Sequence, residues 1–398
     1  MLNLCLVTLL GVLMRYKIGF EFPYLDQKHL QHSHSHFAFS GWISHTLMVL
    51  MIYYLQSKIA EFQGNKYTKI IITNLICSYG MLVSFILEGY GLVSIALSTA
   101  SILVSYIFAY RFIKDLKLLN DDLLAKSWFK AALFFNVISS FGTFYLAYMM
   151  ASKNVVQDWY LSSIYYYLHF QYNGWFFFAC MGLAFGFINL RKSEHSFYEK
   201  SFKLFAAACI PGYFLSTLWL DLPLWLYVLT VLAAIIQVFA WFKLLVILLK
   251  TKRNSLENHA PLLRFILLVV GFALSIKLLL QLGSTIPVIS QLAFEFRPIV
   301  IAYLHLVLLA IITLFILFYI YANHLIFINR KIKYGIVLFS IGVLLNEIVL
   351  AVQGFASLSY TVIPFVNEIL FAVAVILFIG IVITSYFSIK KVKNNPPL

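Results

Sequence analysis

Charge is what this sequence has least of. Asp, Glu, Lys and Arg together make up 11% of its 398 residues, where a soluble domain needs roughly a quarter to cover its surface. A water-soluble globular fold is therefore excluded. Acidic residues are scarcer still, 15 against 29 basic ones, giving a formal charge of +14. Those cations sit in short runs between apolar stretches, which marks anchoring at a membrane face and excludes a nucleic-acid surface. Cysteine is also sparse. Cys5, Cys77, Cys180 and Cys209 all lie inside apolar segments with no CxxC spacing, so packing is their expected role rather than a disulfide or a metal. There is no low-complexity linker, no polar stretch long enough for a soluble domain and no internal repeat, and few prolines interrupt the apolar runs. Residues 1–398 thus read as a single transmembrane domain.

What is present is apolar sequence: 62% hydrophobic residues and a mean hydropathy of +0.91. Runs of about 20 apolar residues cross the hydrocarbon core as helices. Twelve are predicted, at 2–20, 34–55, 67–87, 89–112, 127–150, 160–190, 199–220, 222–248, 261–283, 298–321, 333–353 and 363–388, so the fold class is an all-α polytopic membrane protein. Of the 29 basic residues, 23 fall on alternate loops, among them Arg111, Lys114 and Lys117, Arg191 and Lys192, Lys252 and Arg253, and Arg330 and Lys331. The positive-inside rule makes those loops and both termini cytoplasmic in an inner (plasma) membrane. Arg15 and Lys17 run against this pattern, since they follow the first span on the outer side.

Ionisable residues inside a bilayer are costly and usually functional. Of ten histidines, His195, His259 and His324 fall in or near cytoplasmic loops and read as surface residues. His29, His32, His34 and His36 lead into span 2 as HLQHSHSHFAFSGW. His45 lies deeper in that helix, His169 lies in span 6 and His305 in span 10. These three spans run in the same direction, so His36, His169 and His305 share a depth within about three turns of the outer end. Neutral imidazole is the commonest protein ligand for haem iron, copper and zinc, and helix bundles build such sites in their cores. Residues two apart on a helix point about 200° apart. His34 and His36 therefore face different neighbours, or the chain before Phe37 is not yet helical. His45 looks away from the shared site and reads as structural. Asn346–Glu347 and Asn367–Glu368 form a matched pair near the outer third, readable either as a proton path through Glu347 and Glu368 or as neutral carboxylic acids bonded to other helices. Arg297, Lys277 and Arg15 are candidate partners for anionic groups, or interfacial anchors.

The pattern resembles subunit I of the heme–copper oxidases, a superfamily that includes the nitric oxide reductases. The likeness rests on His36 or His34 near the outer end of helix 2, His169 in helix 6 and AYLHLVLLAIITLFIL in helix 10. It implies a twelve-helix bundle with a low-spin b-type haem held between His36 (or His34) and His305, and Arg297 beside it. It places His169, with His34, at a second metal, copper or non-haem iron. Span 7 lacks the histidine pair that completes the copper site, Tyr303 stands where the active-site haem ligand falls, and Asn173 occupies the position of a tyrosine. The expected function is a membrane redox protein carrying electrons from a donor subunit or quinol, with oxidase or nitric oxide reductase activity left open. The alternatives are a metal or proton transporter, or a non-catalytic assembly or sensor subunit. The segments HSHxAFxGW and HFQYNGWF, His34 to Trp42 and His169 to Phe176, also match a group of short bacterial membrane proteins.

Overall fold

The computed structural model describes residues 1–119, 123–188, 194–251, 260–326 and 329–394. Arg191, Lys192, Lys252, Arg253 and His259, assigned above to loops, lie outside the described residues. No strand occurs among the described residues. The helices are α1 (Leu2–Gly19), α2 (Gln27–Lys58), α3 (Gly64–Glu88), α4 (Leu92–Leu118), α5 (Leu123–Ser152), α6 (residues 157–187), α7 (His195–Cys209), α8 (Leu224–Thr251), α9 (Pro261–Gly283), the short α10 (Pro287–Glu295), α11 (Arg297–Ala322), α12 (Arg330–Leu358) and α13 (Val366–Asn394).

Ten of these, all except α6, α7 and α10, are long and apolar enough to cross a membrane. Their outward faces carry Leu, Ile and Phe in numbers no aqueous surface tolerates: Leu87 is 75% exposed, Leu92 85% and Phe272 67%. A contiguous apolar exterior of this kind is solvated by lipid. The chain is a multi-pass, all-helical membrane protein.

Two of the twelve predicted spans differ. Residues 157–187 are helical throughout, but the SSIYYYLHFQYN stretch dilutes their hydropathy with hydroxyls, an imidazole and amides. The seventh span does not run from 199 to 220. Its helix stops at Cys209 and tightens into a 3-10 turn over Pro211–Ser216. Pro211 supplies no N–H and its ring clashes with the carbonyl four residues back, so the α-helix cannot continue through it.

The second helix starts earlier than predicted, at Gln27. The Asp26 carboxylate caps it, accepting from the Lys28 and His29 amides at 2.8 and 2.9 Å. All four leading histidines therefore lie on regular helix. The His29 amide, and then the Lys28 amide, hold the Asp26 carboxyl below its ordinary range. A depressed folded pKa contributes stability that is present above the unfolded value and fades as pH falls through the depressed one. The first turn of α2 is expected to fray only below about pH 4, seen as lost amide protection at Lys28 and His29. Fraying nearer neutrality would contradict the cap.

Helix packing is tightest where glycine lets backbones touch. A Cβ on Gly380 of α13 would stand 2.7 Å from the Phe339 amide nitrogen, and one on Gly335 of α12 2.8 Å from the Gly380 carbonyl. The bundle interior is aromatic: fully buried Trp128 is ringed by Phe177, Phe178, Phe185, Phe202 and Phe205, centroids 5.0–6.1 Å away. At the opposite end of α3 and α4 from the Gly89 turn, buried Asp115 accepts from the Tyr67 hydroxyl at 2.6 Å and pairs with Lys66 at 2.8 Å. Asp115→Ala leaves the Tyr67 hydroxyl buried without its acceptor. It should cost about 1–3 kcal/mol, read as a lower thermal unfolding midpoint in detergent. An unchanged midpoint would show that water replaces the carboxylate there.

Candidate functional site

Three helices widen into π-helical turns, and each widening begins on the residue after a histidine. The segments are Phe37–Ser44 after His36 in α2, Phe170–Phe176 after His169 in α6, and Leu306–Thr313 after His305 in α11. A π-turn fits one extra residue into the helix, and such turns concentrate at functional sites. Here they are tied together. Trp42 donates its indole N–H to the Thr313 hydroxyl at 3.1 Å, and Trp175 donates to the Ser44 hydroxyl at 3.1 Å. All three histidine-bearing helices are thus locked to one another just below the imidazoles.

α2 presents two histidine faces. On one, His34 looks toward α1 and α11. Its ring lies by the Val7 carbonyl, its Cε1 lies 3.6 Å from the Cβ position of Gly11, and His305 and Arg15 are its titratable neighbours. Val7, Gly11 and Arg15 are four residues apart and make one stripe of α1. His305 is set on α11 by its Nδ1–H donating to the Ile301 carbonyl at 2.9 Å. That bond fixes the tautomer and leaves Nε2 as a lone-pair donor, the usual arrangement of a ligating histidine. His34 likewise keeps a buried nitrogen, Nδ1, with no hydrogen-bond partner. α2 packs on α3 and α1, and α11 packs on α12 through its first segment. Side chains join α2 to α11: Trp42 bonds Thr313, and Arg297 donates to the Gln31 amide oxygen at 2.9 Å. None of Arg297–His305 is fully buried.

On the other face of α2, His36 turns away from His305. Its ring stacks on Phe85 with centroids 4.3 Å apart, and Nε2 meets the Tyr90 hydroxyl at 3.0 Å. Of the two candidates in helix 2, it is His34 that the structure brings to His305. The two residues share depth but differ in azimuth, as their spacing of two requires.

His169 sits in a separate cluster. Its Nε2–H donates to the Cys209 carbonyl at 2.8 Å, and the Asn173 amide donates to Nδ1 at 3.1 Å. Both ring nitrogens are satisfied, so a metal would have to displace one of these bonds. Among the described residues no group of three His, Cys, Asp or Glu side chains is placed to hold a metal ion. Lys277, only 6% exposed, joins this cluster rather than the His34–His305 pair. With Asn173, Cys209 and Gln237 it lines a cavity of about 10 Å³, room for about one water. Tyr303 links the two regions: it bonds Tyr172 and Asn173, while His305, two residues on, looks the other way.

The two glutamates are not brought together. Glu347 lies eleven residues before the end of α12, about 16 Å in, and accepts from Asn346 at 3.1 Å. Glu368 is exposed in the first turn of α13, where a carboxylate complements the helix dipole. A polar chamber of about 50 Å³ lies at the π-turns of α2 and α6, lined by Ser40, Ser44, Asn74, Asn136, Ser139 and Gln171 among others. Gln171 donates to Asn136 and Ser139 at 3.1 and 2.8 Å, and Asn136 Nδ2 has no partner. The Asn136, Ser139, Ser140 spacing, a polar stripe on one face of α5, was its signal.

No family model matches this chain, and no curated protein matches it.

His34 and His305 offer donor chemistry that a b-type haem would use: they lie on different helices, His34 keeps a buried Nδ1 without a partner, the His305 Nδ1 is tied to the Ile301 carbonyl, and Arg15 lies near both rings.

Proposed function

We propose that this protein is a membrane redox protein similar to heme–copper oxidase subunit I, and that it binds one b-type haem between His34 and His305. The observation that carries this reading is that those two histidines, on α2 and α11, are neighbours, with the His34 Nδ1 buried without a partner and the His305 Nδ1 tied to the Ile301 carbonyl. Held by His34 and His305, such a haem would supply one-electron redox chemistry. The roles of the chain's own groups follow from where they stand. The Ile301 and Val7 carbonyls orient the two rings, and Arg15 and Arg297 provide cations for carboxylates at the outer edge.

Electron transfer is favoured over oxygen or nitric oxide reduction. His169 spends both nitrogens on the Cys209 carbonyl and Asn173, which argues against copper or non-haem iron beside it. The electron donor would be a partner subunit or a quinol in the inner membrane, with both chain termini cytoplasmic. Reduced-minus-oxidised spectra of the protein purified from a haem-sufficient host test the reading directly. The expected result is a b-type difference spectrum; a colourless protein removes the proposal.

One observation favours a second reading, proton or cation transport. The chamber lined by Ser40, Asn74, Asn136 and Gln171 is polar but uncharged, and its unpartnered Asn136 amide calls for water. Proteoliposome proton flux that falls in Asn136→Leu would support this reading, and unchanged flux would remove it.

A further inference from the structure

The His36 face of α2 is not used by the haem reading, yet it gathers three imidazoles, His29, His32 and His36. His29, His32 and His36 recur at spacings of three and four, which places them on one side of the helix. That side meets the turn between α3 and α4, where Gly89 adopts φ +62. The turn is held rigidly: Glu88 accepts from the Ser94 amide at 2.8 Å, and the Ser94 hydroxyl donates to the Gly89 carbonyl at 2.7 Å. Tyr90 projects from it between two imidazoles. Its ring lies 4.6 Å from the His32 ring, and its hydroxyl 3.0 Å from His36 Nε2. Phe85 stacks on His36 and also borders His32, with centroids 4.3 and 6.2 Å away, so both rings are confined to the same space.

We propose that His32 and His36 form a binding site for a divalent transition-metal ion of the copper–zinc class at the end of the bundle where α2 begins. Two histidines four apart on a helix chelate such ions through neutral imidazole nitrogens, and copper(II) binds nitrogen donors most tightly among the first-row divalent ions. Since no third His, Cys, Asp or Glu converges among the described residues, water completes the coordination and the site is an open one. The Tyr90 hydroxyl, 3.0 Å from His36 Nε2, occupies that nitrogen until the metal takes its lone pair, which makes Tyr90 a competitor for the site.

Copper(II) chloride titrated into the purified full-length chain, followed by electron paramagnetic resonance, tests this. One copper per chain with hyperfine coupling to imidazole nitrogen is expected. His32→Ala or His36→Ala should abolish it, Tyr90→Phe should retain or tighten it, and His34→Ala and His305→Ala should leave it intact. The last pair separates this site from the His34–His305 pair, whatever the fate of the haem reading. Should the His32 or His36 variants fail to fold, the unmodified chain still answers. Copper(II) must shield His32 and His36 from diethylpyrocarbonate in peptide mapping. No bound copper, copper that persists without His32 and His36, or no shielding overturns the proposal.

Discussion

His305→Ala is expected to yield folded protein without haem absorbance, and His34→Ala is expected to do the same. His36→Ala keeps it. The contrast follows from azimuth. His34 and His305 are neighbouring neutral imidazoles, with Arg15 near both. His36 points to the opposite side of α2 and is held by Phe85 and Tyr90. His34→Ala and His305→Ala would each remove one of the two residues that would hold the haem, so these purified variants should lose the haem itself rather than keep it with a shifted spectrum. Pyridine haemochrome assays count the haem per chain, and circular dichroism shows whether each variant keeps its helices. A His36→Ala protein that loses haem while His34→Ala keeps it would reverse the assignment.

Gly380→Leu should produce the largest loss of stability of any single substitution considered. The added side chain meets backbone, the Phe339 nitrogen at 2.7 Å and the Gly335 carbonyl at 2.9 Å, and backbone cannot swing aside as a side chain can. Overpacking ordinarily costs about 1–3 kcal/mol and more when rigid groups collide. α12 and α13 form the closest helix pair of the bundle and α13 also packs on α1. Separating them disturbs three helices at once, and the thermal midpoint in detergent should fall to where little folded protein is recovered. Gly271→Ala is the control. Its Cβ meets nothing within 4 Å, and replacing a mid-helix glycine by alanine should be neutral or stabilise by about 0.5–1 kcal/mol. Equal losses in both variants would mean that glycine itself, not the crossing, matters.

Much of the architecture was legible in the sequence because lipid imposes a simple rule. Uncharged runs long enough to cross must be helical, and ten helices do fall where runs were found. The seventh span was overextended because hydropathy does not register what Pro211 does to a helix. The depth of the histidines could be read from distances along the chain. Their direction could not, because the azimuth of a helix depends on its neighbours: nothing in HSHSH says which imidazole turns to α11. Likewise, Glu368 looked like a partner for Glu347 until the start of α13 at Val366 placed it in an exposed first turn. The π-turns left no trace that hydrophobic spacing could reveal.

Those widened turns give the molecule a tolerance that regular helices would not have. Each residue of an α-helix turns about 100°, so one additional residue rotates everything beyond it relative to everything before. In α2, α6 and α11 the half that carries the imidazole is thereby uncoupled in rotation from the half that packs into the aromatic core, residues 47–55, 178–185 and 314–321. Deleting a single residue from Phe37–Ser44 would return α2 to uniform winding and swing Trp42 off Thr313. Either the histidine end or the core-packed end would then point the wrong way. The protein can thus aim an imidazole and seat a packed core independently on the same rod.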